Sequence, residues 1–154
     1  VFCGELLLRC EQGRQMSKLL EQLKIHEGVR THFYRCSSGL ATIGVGRCIE
    51  PGSLGLSDDE ILYLLQNDVG RCKRELLAFS WFIDLDSVRQ DAMVNLCFNL
   101  GFSRLSLFTN ALAAMSEANY ELAAMEFLDS KWARQVGKRA EDVAHMIRTG
   151  TYSN

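Results

Sequence analysis

The chain has 154 residues, the usual length of one domain, and its formal net charge of −2 offers no broad field for binding a polyanion such as nucleic acid. A hydrophobic share of 47% beside 23% charged residues is typical of a globular protein and excludes intrinsic disorder. No apolar run reaches the ~18 residues that span a bilayer, so membrane insertion is not expected.

The N-terminal stretch does not have the pattern of a secretory signal. Glu5, Arg9 and Glu11 interrupt its apolar residues before a signal-peptide core of ~7 to 15 residues could form. Met16 could serve as an initiator, so we interpret residues 1–16 as an N-terminal extension or an alternative start. Export by a classical signal is therefore not expected.

A helix followed by a β-hairpin is predicted next. Residues 17–26 have helical periodicity, and Gly28 is placed to end the helix. Residues 32–36 and 40–45 are rich in aromatic and β-branched side chains, and the small residues at 37–39 between them favour a turn. The helical residues expected to face inward are Leu19, Leu20 and Leu23.

Helical periodicity accounts for the rest of the chain. Ser57 and Glu60 form a capping box at the start of a long helix over 57–78. Asp86 caps a second helix that ends near Gly101, and the width of its apolar face predicts a central, buried helix. Shorter helices are expected at 105–115, at 120–128 with Asn119 as the cap, at 130–135 and at 138–148. The sequence thus predicts an α+β fold that is mostly helical, with a small sheet first.

Six cysteines in a chain of this length are too few for a disulfide-dense scaffold, and we interpret them as reduced thiols. No two cysteines are separated by two residues, and no histidine pairs with a cysteine at ligand spacing, so no metal is expected. Cys72 and Cys97 fall on apolar helical stripes and are predicted to be core residues.

One carboxylate, one thiol and one hydroxyl form a candidate catalytic group. Glu27 lies in the last turn of the first helix, where unpaired carbonyls favour a carboxyl that keeps its proton, as a general acid must. If Cys36 faces Leu40 or Thr42 across the hairpin, the two-residue period of the pleat puts Cys36 and Thr42 on one face. Such a face could hold a water molecule opposite the acid. The residues alone also allow Glu27 to be an ordinary exposed glutamate.

The segment IHEGVRTHFYRCSSGLATIGVG, residues 25–46, resembles the active-site segment of the phage-type lysozymes, the muramidase endolysins of tailed phages. In that family a catalytic Glu is followed after eight residues by Asp, less often Cys, and after five more by Thr; Glu27, Cys36 and Thr42 match both spacings. The likeness continues, in the family's order, through LDSVRQDAMVNLCFNLG, LFTNAL, SKWARQ and KRAEDVAHMIRTGTY. It covers nearly everything after about residue 17.

The resemblance implies a single lysozyme-like domain with a substrate cleft between two lobes. Residues 17–56 would form a small α/β lobe with the hairpin, 57–78 the connecting helix and 79–154 the helical lobe. The substrate would be the β-1,4 bond between N-acetylmuramic acid and N-acetylglucosamine in bacterial peptidoglycan. No cofactor is implied.

The resemblance also assigns roles to single residues. Glu27 would protonate the leaving oxygen, while Cys36 and Thr42 position or activate the water on the opposite face of an inverting site. Arg139 matches the arginine that pairs with the catalytic Glu and orients it. The residues assigned to substrate binding are Asn99, Thr109 and Asn110.

An endolysin of this kind would collect in the host bacterial cytoplasm and depend on a holin to reach the periplasm and cell wall. We expect it to act as a monomer. Two alternatives stay open. The chain could be a lysozyme-like module that binds peptidoglycan or protein with weak or no activity, or it could cleave without water and leave an anhydro sugar.

Cys36 stands where the family more often has aspartate, and this leaves two mechanisms open. An ordinary thiol is only a few per cent ionised at neutral pH and is a weak base there. Either the thiolate takes the proton, or the thiol and Thr42 merely hold the water, which is the interpretation we favour from the sequence. A disulfide from Cys36 to Cys48, Cys3 or Cys10 that closes the site is a further hypothesis.

Overall fold

The computed structural model describes residues 18–153 and confirms a mostly helical α+β fold. Helix α1 occupies residues 18–27, and a small antiparallel sheet follows it. The strands are β1 (Arg30–Arg35), β2 (Ala41–Gly44) and β3 (Arg47–Cys48). The later elements are α2 (Asp58–Leu76), a 3-10 helix (Ser80–Asp84), α3 (Ser87–Leu100), α4 (Phe102–Leu105), α5 (Thr109–Ser116), α6 (Tyr120–Leu128), α7 (Lys131–Val136) and α8 (Lys138–Thr149). The predicted extension at 1–16 lies outside the described residues.

The chain divides into two compact units between Asp58 and Asp59. We call residues 18–58 the sheet unit and residues 59–153 the helical unit. Across residues 18–153, no helix combines the length and the apolar character needed to cross a lipid bilayer.

The sheet unit is built on the strand order β1-β2-β3, with both neighbouring pairs antiparallel. The β1–β2 turn is closed by two backbone bonds: the Cys36 N–H donates to the Leu40 carbonyl at 3.0 Å, and the Gly39 N–H donates to the Cys36 carbonyl at 2.8 Å. Strand β3 was not predicted, and it pairs Cys48 with Thr42. Strand β2 is therefore the central strand, with a partner on each side.

Helix α1 has the predicted position but not the predicted burial. Its last turn ends where the Gly28 N–H donates to the Lys24 carbonyl at 3.0 Å. The prediction that three leucines face inward is wrong, because their exposed fractions are 54%, 54% and 40% for Leu19, Leu20 and Leu23. Helical spacing shows which side chains share a face, but not whether another element covers that face.

The helical unit is organised around α3, as predicted. Asp86 caps this helix by accepting a hydrogen bond from the Arg89 N–H at 3.0 Å. The fully buried side chains of α3 are Ala92, Met93, Leu96 and Cys97. Cys72 and Leu76, at the C-terminal end of α2, are buried as well, which confirms both cysteines as core residues.

One predicted helix is broken in two. The expected helix at 105–115 is interrupted, because α4 ends at Leu105 and α5 begins at Thr109. In the turn between them the Phe108 N–H donates to the Leu105 carbonyl at 3.0 Å. The turn buries Leu105 and sets the Phe108 ring 5.5 Å from that of Phe127. Packing of these two side chains overrides a helical periodicity that continues through the break.

Candidate active site

Glu27 is the last residue of α1, and its side chain is exposed. Its carboxylate lies against the turn between β2 and β3: a Cβ placed on Gly46 would sit 3.5 Å from Glu27 Oε2. Gly46 has φ +77, a left-handed conformation that other residues rarely adopt. The glycine therefore lets the turn pass close to the carboxylate without strain.

Cys36 and Thr42 lie on the same face of the sheet. Cys36 follows β1 and bonds to Leu40, while Thr42 on β2 pairs with Tyr34. Tyr34 and Cys36 are two residues apart, so both side chains point to the face that also carries Thr42. Thr42 is the one buried residue among residues 18–58, with 4% of its surface exposed. The expected register of the hairpin is thus the one observed.

The surroundings of the Cys36 sulfur favour its ionised form. Hydrogen bonds from the backbone N–H groups of Ser38 and Leu40, with a smaller effect of the Thr42 hydroxyl, outweigh burial and lower the pKa of Cys36 below its ordinary value. The Thr42 hydroxyl also contacts the Leu40 carbonyl at 3.0 Å, so its single proton has two possible acceptors. The sheet unit therefore carries an exposed carboxyl at a helix end and a thiol that can hold negative charge.

The hypothesis of a closing disulfide finds no support at Cys48. Both Cys36 and Cys48 are free thiols. Cys36 follows β1 and Cys48 ends β3, so the two cysteines lie on opposite sides of β2. Two strand spacings separate β1 from β3 by about 9 to 10 Å. A disulfide needs Cα atoms within about 7 Å. The other proposed partners, Cys3 and Cys10, lie outside the described residues.

Arg139 is held by a residue that the sequence interpretation missed. Its Nε donates to Asn95 Oδ1 at 2.8 Å, and its Nη2 donates to the Asn95 carbonyl at 3.4 Å. Both residues line a groove of about 550 Å³ in the helical unit, together with Val94, Phe98 and Met146. Asn95 lies one helical turn before Asn99 on α3, and this spacing is the signal that could have revealed it.

The residues assigned to substrate binding have partners within the helical unit. Asn99 Oδ1 accepts a hydrogen bond of 2.7 Å from Nε1 of the buried Trp132. Thr109 is the first residue of α5, and the neighbouring Asn110 donates to Glu126 Oε2 at 3.3 Å. Asn99, Thr109 and Asn110 are all exposed. The side chains of Asn99 and Asn110 are therefore held at the surface by these partners, and contact of all three residues with a glycan stays a prediction.

The sequence model of the family described as phage lysozyme matches residues 24–146. The chain is 27% identical to "Probable T4-type lysozyme 2" of Dictyostelium discoideum, over 88% of this chain and 96% of that protein. It is 26% identical to the "Pre-baseplate central spike protein Gp5" of Enterobacteria phage T4, over 86% of this chain and 28% of that protein. Since the family match spans most of the sequence and includes the helix end, the hairpin and α8, this chain belongs to the phage lysozyme family.

Proposed function

We propose that this chain hydrolyses the β-1,4 bond between N-acetylmuramic acid and N-acetylglucosamine in bacterial peptidoglycan. The observation that carries the proposal is the set of donors around Cys36, since two backbone N–H groups and the Thr42 hydroxyl stabilise its thiolate. A thiolate fixed in this way can orient a water molecule and receive its proton. Membership of the phage lysozyme family supports the substrate class.

In the proposed reaction Glu27 is the general acid. It gives its proton to the glycosidic oxygen while the bond from that oxygen to the anomeric carbon breaks. A water molecule positioned by Cys36 and Thr42 attacks the anomeric carbon from the opposite face, and the proton that it loses passes to the Cys36 sulfur. Solvent then returns a proton to Glu27 and removes one from Cys36. The enzyme is restored, and the sugar configuration is inverted.

Gly46 supports this proposal because the absence of a side chain lets the β2–β3 turn come close to the Glu27 carboxylate. The carboxylate of Glu27 lies beside the β2–β3 turn, and a Cβ at position 46 would come within 3.5 Å of its Oε2. A turn at this distance narrows the orientations open to the carboxyl and so favours delivery of its proton in one direction. This contact supports a role for Glu27 beyond that of an exposed surface charge.

Arg139 keeps its proposed role as the residue that orients the acid. The support is local: two hydrogen bonds to Asn95 fix the guanidinium at the start of α8 and leave further N–H groups for another acceptor. We likewise propose that Asn99, Thr109 and Asn110 contact the glycan, because each presents a polar group on the exposed side of the helical unit.

The proposed biological role is that of an endolysin. It would act on the host wall from the cytoplasmic side after a holin opens the membrane, and it would act as a monomer. The relatives named above come from an amoeba and from a phage spike, so the family occurs in more than one setting. The lysis role therefore depends on the resemblance to endolysins, whereas the chemistry depends on the site.

A turbidity assay on permeabilised Gram-negative cells tests the proposed activity. We expect the wild type to clear the suspension, and Glu27→Gln to clear it at least about 100-fold more slowly, since a general acid typically contributes 10²- to 10⁴-fold. The matched control is Glu21→Gln on the same helix, whose carboxylate pairs only with Lys24 at 3.2 Å in the described structure. This control is expected to clear like the wild type.

Two results would count against the proposal. Equal clearing by the wild type and Glu27→Gln would remove Glu27 from its role. No clearing by folded wild type that still sediments with purified peptidoglycan would favour the alternative, a lysozyme-like binding module.

A further inference from the structure

Two helices of the helical unit bring two thiols and one carboxylate together. Cys72 and Glu75 lie one turn apart on α2, and Cys97 lies on α3. One ligand atom from each residue, the two sulfurs and a carboxylate oxygen, lies within 4.8 Å of the other two. The Cys97 sulfur is 3.5 Å from Glu75 Oε2 and also contacts the Cys72 thiol. The three atoms thus surround one point.

The cluster is closed on the core side and open on one edge. Cys72 and Cys97 are 0% and 1% exposed, whereas the side chain of Glu75 is 34% exposed. Glu75 is therefore the ligand nearest to solvent, and an ion would approach the cluster from its side. In the described structure the Glu75 carboxylate accepts a hydrogen bond from the Cys97 thiol and pairs with Arg71, so the two thiols and the carboxylate are already held together.

We propose that Cys72, Glu75 and Cys97 bind one Zn²⁺ ion. Zinc takes four tetrahedral ligands, with Zn–S of about 2.3 Å and Zn–O of about 2.0–2.2 Å, so ligand atoms must lie roughly 3.5 to 3.8 Å apart. The separation of Cys97 Sγ and Glu75 Oε2 already has this value. The remaining atoms, all within 4.8 Å, need shifts of about 1 Å or less, and side-chain rotation supplies these. Water would complete the fourth position on the exposed edge.

A neighbouring arginine would offset part of the charge of the zinc-bound cluster. Two thiolates, one carboxylate and Zn²⁺ sum to −1. Arg71 contacts both Glu75 oxygens, at 3.4 and 3.5 Å, and is shared with Asp68 at 3.5 Å. Such a partner orients a ligating carboxylate. A nearby cation also lowers the cost of placing a charged metal centre beside the core.

Binding must displace protons from the thiols. The Cys97 thiol donates a hydrogen bond to Glu75 Oε2, so it carries its proton when no cation is present. Zinc uptake would release the thiol protons into solvent and form two Zn–S bonds in exchange. The ion would join the C-terminal part of α2 to α3, which gives this site a structural role independent of glycan hydrolysis.

The test is a metal titration of the full chain under reducing conditions, with Cys3, Cys10, Cys36 and Cys48 replaced by Ser. Co²⁺ serves as the probe, because Co–S bonds give a charge-transfer band in the near ultraviolet. We expect a single Co²⁺ to bind, this band to appear, and Zn²⁺ to remove it. At a Zn²⁺ concentration of about 100 times the Kd, the Tm should rise by roughly 5 °C or more.

Single variants assign the ligands. Glu75→Gln should weaken Co²⁺ binding by about tenfold or more. Asp68→Asn is the matched control, because Asp68 also contacts Arg71 on α2, at 3.5 Å, but is not part of the cluster; its affinity should not change. Cys97→Ala should abolish the band, with circular dichroism to confirm the fold. Absence of the band in the folded protein, or a band of unchanged strength in Cys97→Ala or Glu75→Gln, would overturn the proposal.

Discussion

Cys36 stands where the family more often has aspartate, and its neighbours lower the pKa of its thiol. Hydrogen bonds from Ser38 and Leu40 dominate the lowering of its pKa, and the Thr42 hydroxyl adds to them. The lowered pKa means that more thiolate is present near neutral pH than at an ordinary cysteine. The sequence favoured a sulfur that only holds water, and the lowered pKa supports the proposal that the sulfur also accepts a proton.

The state of Cys36 can be measured without any assay of glycan cleavage. Iodoacetamide reacts with the thiolate, so the alkylation rate of Cys36 follows its ionisation. As pH rises, we expect this rate to reach its half-maximum below the pH found for an ordinary cysteine. Mass spectrometry of the peptide that contains Cys36, after timed alkylation at a series of pH values, gives the midpoint.

Two controls separate the contributions of the backbone N–H groups and of the Thr42 hydroxyl to the lowered pKa of Cys36. In urea the hairpin bonds are lost, so the midpoint for the same cysteine should return to the ordinary value. In Thr42→Val the midpoint should rise only part of the way, because the two backbone N–H groups remain. A midpoint in the folded wild type equal to that in urea would contradict the assigned hydrogen bonds.

Some of these residue contacts follow from the sequence, and others need the fold. The two-residue period of a strand is enough to place Cys36 and Thr42 on one face. The N–H groups of Ser38 and Leu40 are invisible to side-chain patterns, because any residue carries a backbone N–H and only the turn geometry aims it. Asn95 shares a helical face with Asn99, which a side-chain pattern can show, but its pairing with Arg139 on α8, 44 positions away, also needs the fold.

At the level of helices, Arg89 joins three elements of the helical unit. Near the start of α3, its Nε donates to the Ile147 carbonyl at 2.8 Å, which satisfies a free carbonyl at the end of α8. Its guanidinium also lies 3.8 Å from the centre of the Tyr120 ring on α6. Gly150, just after α8, has φ +69, and a Cβ there would come within 2.6 Å of Arg89 Nη1. This junction therefore depends on a glycine.

Replacing each of two glycines by alanine, one at the Arg89 junction and one away from it, tests this account. Gly150→Ala should lower the free energy of unfolding by about 1–3 kcal/mol, because it forces a left-handed alanine and displaces Arg89. Gly70→Ala, within α2, should raise it by about 0.5–1 kcal/mol, since its Cβ would meet only Arg74 Nη1 at 3.5 Å. Urea denaturation measures both, and equal effects of the two substitutions would contradict the account of the Arg89 junction.

The elements that the sequence predicted well are those whose signals are local. The Asp86 cap, the Asn119 cap and the wide apolar face of α3 are each contained in a few neighbouring residues. Strand β3 was missed because two residues, Arg47 and Cys48, are too short for an alternation to show. The break before Thr109 was missed because long-range packing decides it.

For the molecule as a whole, the family match identifies the kind of protein, whereas the site geometry supports the proposed roles of single residues. The family match covers residues 24–146 and establishes the kind of protein. At 26–27% identity the named relatives do not by themselves carry the role of any one side chain. The proposed catalytic roles therefore rest on Glu27, Cys36 and Thr42, which the sequence selected by spacing and family resemblance. The metal cluster could not be selected by spacing, because α2 and α3 each supply part of it.

The most direct test of the central claim is mass spectrometry of peptidoglycan fragments released in water enriched in ¹⁸O. Hydrolysis with Glu27 as the acid predicts fragments that end in reducing N-acetylmuramic acid with one ¹⁸O at the anomeric carbon, formed at least about 100-fold more slowly by Glu27→Gln. Anhydro ends without the label, reducing N-acetylglucosamine ends, or labelled fragments formed equally fast by Glu27→Gln would contradict it.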